Sequence, residues 1–259
     1  MQNEGEKHIL FPNLYNARDL GGLRTRDGRV TQYGRFIRSD EPSGLTPDDI
    51  ELLLSYPIST IIDLRSDGEI ARRHFQKANY PDLLYRNISL FPADPDNEND
   101  PTVQLAISLS LGDLYVHLLQ TRQHHFAQVF RLITKAPPGA ILFHCTHGKD
   151  RTGMVAALLL SLVEIPENDI INNYAETYEH IRPLVDKMMA GMPASTRHIL
   201  RSDAKNMEIF LRYLHDNYES DACGYLLACG LTEDEISRVK SRLLDENDLS
   251  TQQAEASLQ

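Results

Sequence analysis

One stretch constrains this chain more than any other: the breaker Pro137-Pro138-Gly139, the apolar run AILF at 140–143, the polar decapeptide HCTHGKDRTG at 144–153, and the run TGMVAALLLSLVEI from Thr152. The four apolar residues between a breaker and a polar loop read as a buried strand. The run from Thr152 is apolar almost all round, which in a soluble protein means a helix packed in the interior. Nowhere do 18 apolar residues follow one another, so neither this run nor any other reads as a membrane span. A buried strand feeding a buried helix through a short loop is the unit from which α/β folds are built.

The rest of the sequence repeats that alternation. Strands are expected at 34–37, 59–62 and 83–88, and helices at 47–55 and from about Asp67. The first of these helices has Thr46 as N-cap, Pro47 at its first position and acids in its first turn. A long helical pattern covers 103–134 with an interruption near 120–123, and 167–244 reads as helical throughout, with a capping box at Thr232 and Glu235. The expectation is a single α/β domain over residues 1–244, with a mainly parallel sheet of about four to five strands flanked by helices and a helical C-terminal third. The polar segment 245–259 reads as a tail outside the fold.

Composition excludes several functions. A formal charge of −11 opposes extended contact with nucleic acid, which needs Lys and Arg to neutralise phosphates. Three cysteines are an odd number and too few for a disulfide framework, which favours a reducing compartment. The first residues carry no signal-peptide pattern, so a cytoplasmic location is expected, with non-classical export left open. Ten histidines contain no HExxH spacing and no companion cysteines at finger spacing, so neither a metal nor another cofactor is expected. Cys223 and Cys229 lie among helical apolar residues and read as small core residues.

The chemistry lies in the decapeptide. A loop from a strand's carboxyl end to a helix amino terminus can turn several backbone N–H groups toward one point, where the helix dipole adds positive potential. His144, Thr146, His147, Gly148, Lys149 and Gly153 would form such a phosphate-binding loop. Cys145 at its mouth feels the same field, which favours the nucleophilic thiolate. Arg151 can bind two phosphoryl oxygens through its planar fork. Thr152 can donate its hydroxyl to the sulfur when the thiolate departs.

A general acid must protonate the leaving oxygen. Asp150 inside the loop is the first candidate; Asp94 or Asp96, on the acidic segment 91–101, would be the alternative if that segment closed over the site. Lys149 either contacts a second phosphate group or lies solvated at the rim. Arg38-Ser39-Asp40 and the pair Asp63 and Arg65 are expected just beyond strand ends, where ligands bind in open α/β sheets. An internal ion-pair network ordering the loops explains Asp63 and Arg65 equally well. Asn16-Ala-Arg-Asp-Leu-Gly-Gly22, with Arg18 and Asp19, reads as a shaped turn that braces the loop.

HCTHGKDRTG resembles the Cys-x5-Arg signature of protein-tyrosine phosphatases, in the form found in bacterial and fungal tyrosine/serine-type phosphatases, some of which also act on phosphoinositides. The NARDLGG run at 16–22, FIRS at 36–39 with SGLT at 43–46, and IDLRS at 62–66 are similar to other landmarks of that family in the same order. The resemblance covers about residues 10–245 and implies the phosphatase fold, a phosphocysteine intermediate at Cys145, phosphate binding by Arg151 and the loop amides, and acid duty for Asp150. It further implies that Lys149 helps bind additional phosphates. The chain has no Trp, so a Trp-Pro-Asp acid loop is absent, which favours Asp150 over Asp94 or Asp96.

The expected function is therefore hydrolysis of phosphate monoesters, on phosphotyrosine, phosphoserine/threonine or phosphoinositide partners, without a cofactor. Two other classes could use the same loop: a non-catalytic phosphoryl-binding module and a thiol redox sensor. A nucleotide-binding P-loop is excluded, since Phe143 stands where its first glycine would be and Asp150 follows Lys149.

Overall fold

The computed structural model describes residues 13–46, 48–49, 51, 55–75, 82–194, 196–219 and 221–244. The polar tail from 245 and most of the expected helix 47–55 lie outside the described residues. At the start of the latter, the Thr46 amide donates to the Asp49 carboxylate at 2.9 Å.

Five strands form one sheet: β1 (Arg18–Asp19), β2 (Phe36–Ser39), β3 (Ile58–Asp63), β4 (Leu84–Asn87) and β5 (Ala140–His144). Their spatial order is β1-β2-β5-β3-β4, with β1 antiparallel to β2 and every other pair parallel. The expected α/β fold with a mainly parallel sheet is therefore present. The central strand is β5, the one that leads into the decapeptide.

The side chains alternate across the sheet, as a two-residue period requires. Phe36, Ile62, Ile141 and Phe143 enter the larger core, while Ile37, Ile61, Ala140 and Leu142 enter a smaller one on the other face with Leu14, Phe75 and Leu83. The larger core is filled by α3 (Leu111–Thr121), α4 (Gln123–Lys135), α5 (Asp150–Leu162), α6 (Glu167–Ala175), α8 (Ala204–Asn217), α9 (Ala222–Ala228) and α10 (Glu233–Leu243). At its centre is α5, in which only Asp150 and Ser161 are not buried.

Three boundaries differ from the expected ones. Arg38, Ser39 and Asp63 do not follow their strands but end them, because His144 of β5 pairs with both Ser39 and Asp63 and extends the ladder to its polar edge. The helical pattern over 103–134 is three helices: α2 (Pro101–Ser108), α3 and α4. The break at Arg122 is the expected one; the unexpected break falls at Ser110, which caps α3 by accepting from the Asp113 amide. The C-terminal third is not continuously helical. Thr177–Ala190 (α7) is followed by a 3₁₀ turn at Arg197–Leu200 before α8 begins. The two-residue β1 was not visible in the pattern.

Leu158 is fully buried on α5 among core residues. Leu158→Ala should therefore cost about 3 kcal/mol. Urea unfolding is expected to show a lower midpoint with an unchanged slope.

Candidate active site

The loop after β5 is held by its carbonyls. Leu64 N donates to His144 O at 2.9 Å and Glu41 N to Thr146 O at 3.2 Å. Asn16 Nδ2 donates to His147 O at 2.9 Å and to Gly148 O at 3.0 Å. Gly148 O also accepts from Arg38 Nη2 at 2.8 Å. Gly153 N, in the first turn of α5, donates to Lys149 O at 2.8 Å. The amides of Thr146, His147, Gly148 and Lys149, in contrast, donate to nothing among the described residues. A loop tied down on its oxygen side and open on its N–H side, at a helix amino terminus, is built to receive an anion.

Gly148 permits this shape. Its φ is +65°, and a Cβ there would stand 2.4 Å from Ser39 O, so no side chain fits between the loop and β2.

Cys145 opens the loop and is 2% exposed. Arg151, on the first turn of α5, is gripped by Glu69 of α1 (Asp67–Arg72): Nη1 reaches Oε2 at 2.6 Å and Nη2 reaches Oε1 at 2.8 Å. Glu69 also caps its own helix, accepting from Ser66 N at 2.9 Å, and takes the Thr146 hydroxyl. Burial opposes ionisation of Glu69, yet the Arg151 hydrogen bonds and charge hold it down at about 2. Burial likewise opposes the Arg151 charge, but the Glu69 hydrogen bonds and the charge of Cys145 raise its pKa. The guanidinium is thus fixed within electrostatic reach of Cys145, with the remaining N–H groups of its five not used by Glu69.

Asp150 precedes it, partly exposed, with Oδ1 2.5 Å from Tyr115 Oη and 3.2 Å from Lys149 Nζ. Lys149 is not a solvated rim residue. It is 1% exposed, and its ammonium donates to Ile199 O at 2.6 Å and Arg201 O at 2.9 Å. Thr152 Oγ1 is buried and bonds to nothing among the described residues.

Asp94 and Asp96 are both paired with Arg72, and Asp96 lines the cleft described below. Asp94 meets Arg72 bidentately at 2.6 and 2.7 Å, and Asp96 meets it at 2.9 Å. Asp63 and Arg65 form an internal pair, Nη2 to Oδ2 at 2.7 Å, joined by Tyr85 Oη at 2.6 Å and by Glu41. His144, fully buried, stands 3.7 Å from the same Asp63 oxygen, and burial lowers its pKa. Arg18 and Arg38 lie behind the loop, both bonded to Asn173 O and Thr177 Oγ1. Asp19 accepts from the Gly21 and Gly34 amides at 2.8 and 2.7 Å and shapes the turn.

Sequence reasoning missed Glu69, Tyr115 and Asn173. The Ser-x-x-Glu spacing at 66–69 signals a capping box, which would have placed Glu69 on α1 but not aimed it at Arg151. Nothing in the sequence singles out Tyr115 among eleven tyrosines.

A cleft of about 990 Å³ opens over Thr146, His147, Asp150 and Arg151. Phe91, Val103, Ile107, Leu111 and Leu114 give it an apolar wall, and Arg65, Arg72 and Arg73 stand around it.

The sequence profile of the tyrosine phosphatase family matches residues 9–245, spanning the sheet, the loop and every residue of the cleft. The chain belongs to that family. It is 32% identical over 234 residues to a tyrosine-protein phosphatase of Nostoc commune, covering 80% of this chain and 74% of that protein. To the triple specificity protein phosphatase PtpB of Mycobacterium tuberculosis it is 28% identical over 200 residues, 67% of this chain and 70% of that one. The solved structure of P. aeruginosa TpbA is a more distant likeness, with 14% identity, a TM-score of 0.40, and coverage of 89% of this chain and 100% of that one. This tyrosine phosphatase family member is thus a phosphatase enzyme. Among the described residues, no helix is long and apolar enough to cross a membrane.

Neutralising one partner of a buried ion pair costs about 3 kcal/mol, and Glu69→Gln should show that loss near neutral pH. The depressed Glu69 carboxylate contributes stability above its ordinary value of 4.5, and this is lost as pH falls toward about 2. The gap between wild type and variant, measured by denaturant unfolding, should therefore close across that window.

Proposed function

We propose that this phosphatase acts through a phosphocysteine intermediate at Cys145. The observation that carries this reading is the loop itself: four amides with no acceptor among the described residues, with Arg151 held by Glu69 within electrostatic reach of Cys145. A phosphate dianion bound there would replace four unmet donor bonds and face a fixed guanidinium.

In the first step the Cys145 thiolate attacks phosphorus, the S–P bond forms as the P–O bond to the leaving group breaks, and Asp150 gives that oxygen its proton. In the second, water attacks phosphorus and yields a proton to Asp150. The S–P bond breaks, inorganic phosphate leaves, and the thiolate is restored. Charge grows on the equatorial oxygens in both transition states, where Arg151 and the amides of residues 146–149 meet it. The uncommitted hydroxyl of Thr152 is available to the departing sulfur.

Asp150 is the acid this arrangement favours. It adjoins Arg151 in the loop itself and lines the cleft; Asp96 lines the cleft too, but both it and Asp94 are paired with Arg72. Asp63 and Arg65 serve as an ordering pair rather than as contacts to substrate, and Arg18 and Asp19 brace the loop from behind.

The apolar wall beside the loop supports aryl phosphates, phosphotyrosine foremost, as substrates, with phosphoserine/threonine next. A role for Lys149 with a second phosphate, as on a phosphoinositide, has less support, because two of its N–H groups are bound by carbonyls and its charge is paired with Asp150.

Hydrolysis of an aryl phosphate across pH, with chelator present, tests the assignment. Wild type should turn over, Cys145→Ser should be inactive, and Asp150→Ala should lose the basic limb of its pH profile while Asp94→Ala keeps it. A wild type that binds phosphate without turnover would favour the binding-module reading. Fast, specific disulfide formation at Cys145 without turnover would favour the redox sensor.

A further inference from the structure

Asp150 has two oxygens, and the protein treats them differently. Tyr115 is wholly buried on α3, and its hydroxyl lies between Asp150 Oδ1 at 2.5 Å and Tyr174 Oη at 2.7 Å. A hydroxyl has one proton to donate. Tyr115 spends it on the carboxylate and must accept from Tyr174. The Tyr174 oxygen in turn accepts from Asn206 Nδ2 at 3.3 Å.

The hydrogen bonds therefore run one way, from Asn206 through Tyr174 and Tyr115 to Asp150. Lys149 Nζ, fixed by the carbonyls of Ile199 and Arg201, lies 3.2 Å from the same Oδ1. Among the described residues Oδ2 accepts no hydrogen bond.

The packing around this chain is specific. The two tyrosine rings meet edge to face with centroids 6.0 Å apart. Tyr174 can approach α5 because residue 153 is glycine; a Cβ there would stand 3.0 Å from Tyr174 Cδ2. Burial, together with the Asp150 charge, pushes the Tyr115 hydroxyl well above its ordinary pKa, so it remains a donor.

A general acid works only if its proton faces the leaving oxygen. An unrestrained carboxyl would share that proton between two oxygens and two rotamers. We propose that Tyr115, backed by Tyr174, is a positioning residue that fixes Oδ1 of Asp150 as an acceptor, so that Oδ2 carries the proton delivered to the leaving group. This rests on Asp150 being the acid. In the first step the proton passes from Oδ2 to the leaving oxygen, and in the second it returns to Oδ2 from water. Tyr115 keeps its own proton throughout.

Leaving-group dependence separates this role from a structural one. Phenolate requires protonation on departure and 4-nitrophenolate hardly does, and kcat/KM reports the steps through phosphoryl transfer. On phenyl phosphate, Asp150→Ala should lose on the order of 100-fold in kcat/KM and Tyr115→Phe about ten-fold. On 4-nitrophenyl phosphate, Tyr115→Phe should lose less than about three-fold, which also shows that the variant is folded. Tyr174→Phe, which leaves Asp150 untouched, should show a smaller loss with the same bias. Adding Tyr115→Phe to Asp150→Ala should cost nothing further.

If Asp150→Ala shows the bias while Tyr115→Phe lowers both substrates equally, or if the two losses multiply, the positioning role is wrong and the acid assignment stands. If Asp150→Ala shows no bias, the acid assignment falls and the positioning role falls with it.

Discussion

Glu69 ties together two parts of the protein that would otherwise be independent. One carboxylate closes the first turn of α1 through Ser66 and holds the Arg151 fork at the start of α5. A guanidinium left unpaired in this buried setting would be costly, and its rotamers would scatter. Bound at both terminal nitrogens, Arg151 has one orientation before any ligand arrives. Preorganisation of that kind matters most where charge develops during reaction, because little has to reorient at that moment. The Thr146 hydroxyl on the same carboxylate extends this fixation into the loop.

The loop follows the same logic. Its carbonyls from His144 to Lys149 are taken up by Leu64, the His144 ring, Glu41, Asn16, Arg38 and Gly153 of α5, while the amides of residues 146–149 find no acceptor among the described residues. Arg38 contributes more than a hydrogen bond. It is wholly buried, and its acceptors, Asn173, Gly148 and Thr177, are all neutral. Arg18 beside it has Glu176, but among the described residues no carboxylate pairs with Arg38. The positive charge of Arg38 behind the amides adds to the field of the α5 amino terminus, in the direction that favours a bound anion.

The parts legible in the sequence are those written in one contiguous stretch. A strand at 140–143, the loop and the helix from Thr152 follow from hydrophobic runs and turn chemistry alone, and their order forces the loop to a strand's carboxyl end. Polar residues that close strands were harder to read. Arg38, Ser39 and Asp63 look like loop residues until the pairing of His144 with two strands is known, because that pairing is a property of the sheet and not of any segment. Lys149 shows the same limit. Its neighbours suggest a phosphate contact, but its position is set by the carbonyls of residues 199 and 201, some fifty places along the chain. Glu69 and Tyr115 lie on helices whose local patterns explain them fully as cap and core. Only the packing of α1 and α3 against the start of α5 brings them to Arg151 and Asp150.

The account turns on covalent phosphorylation of Cys145. Its most direct test is peptide mass spectrometry of the wild-type protein quenched in acid during turnover of an aryl phosphate. One added phosphoryl group on the peptide containing Cys145, absent from Cys145→Ser, is the predicted result. Phosphate release with no phosphorylated peptide, or with the group on His147 or another residue, would contradict it.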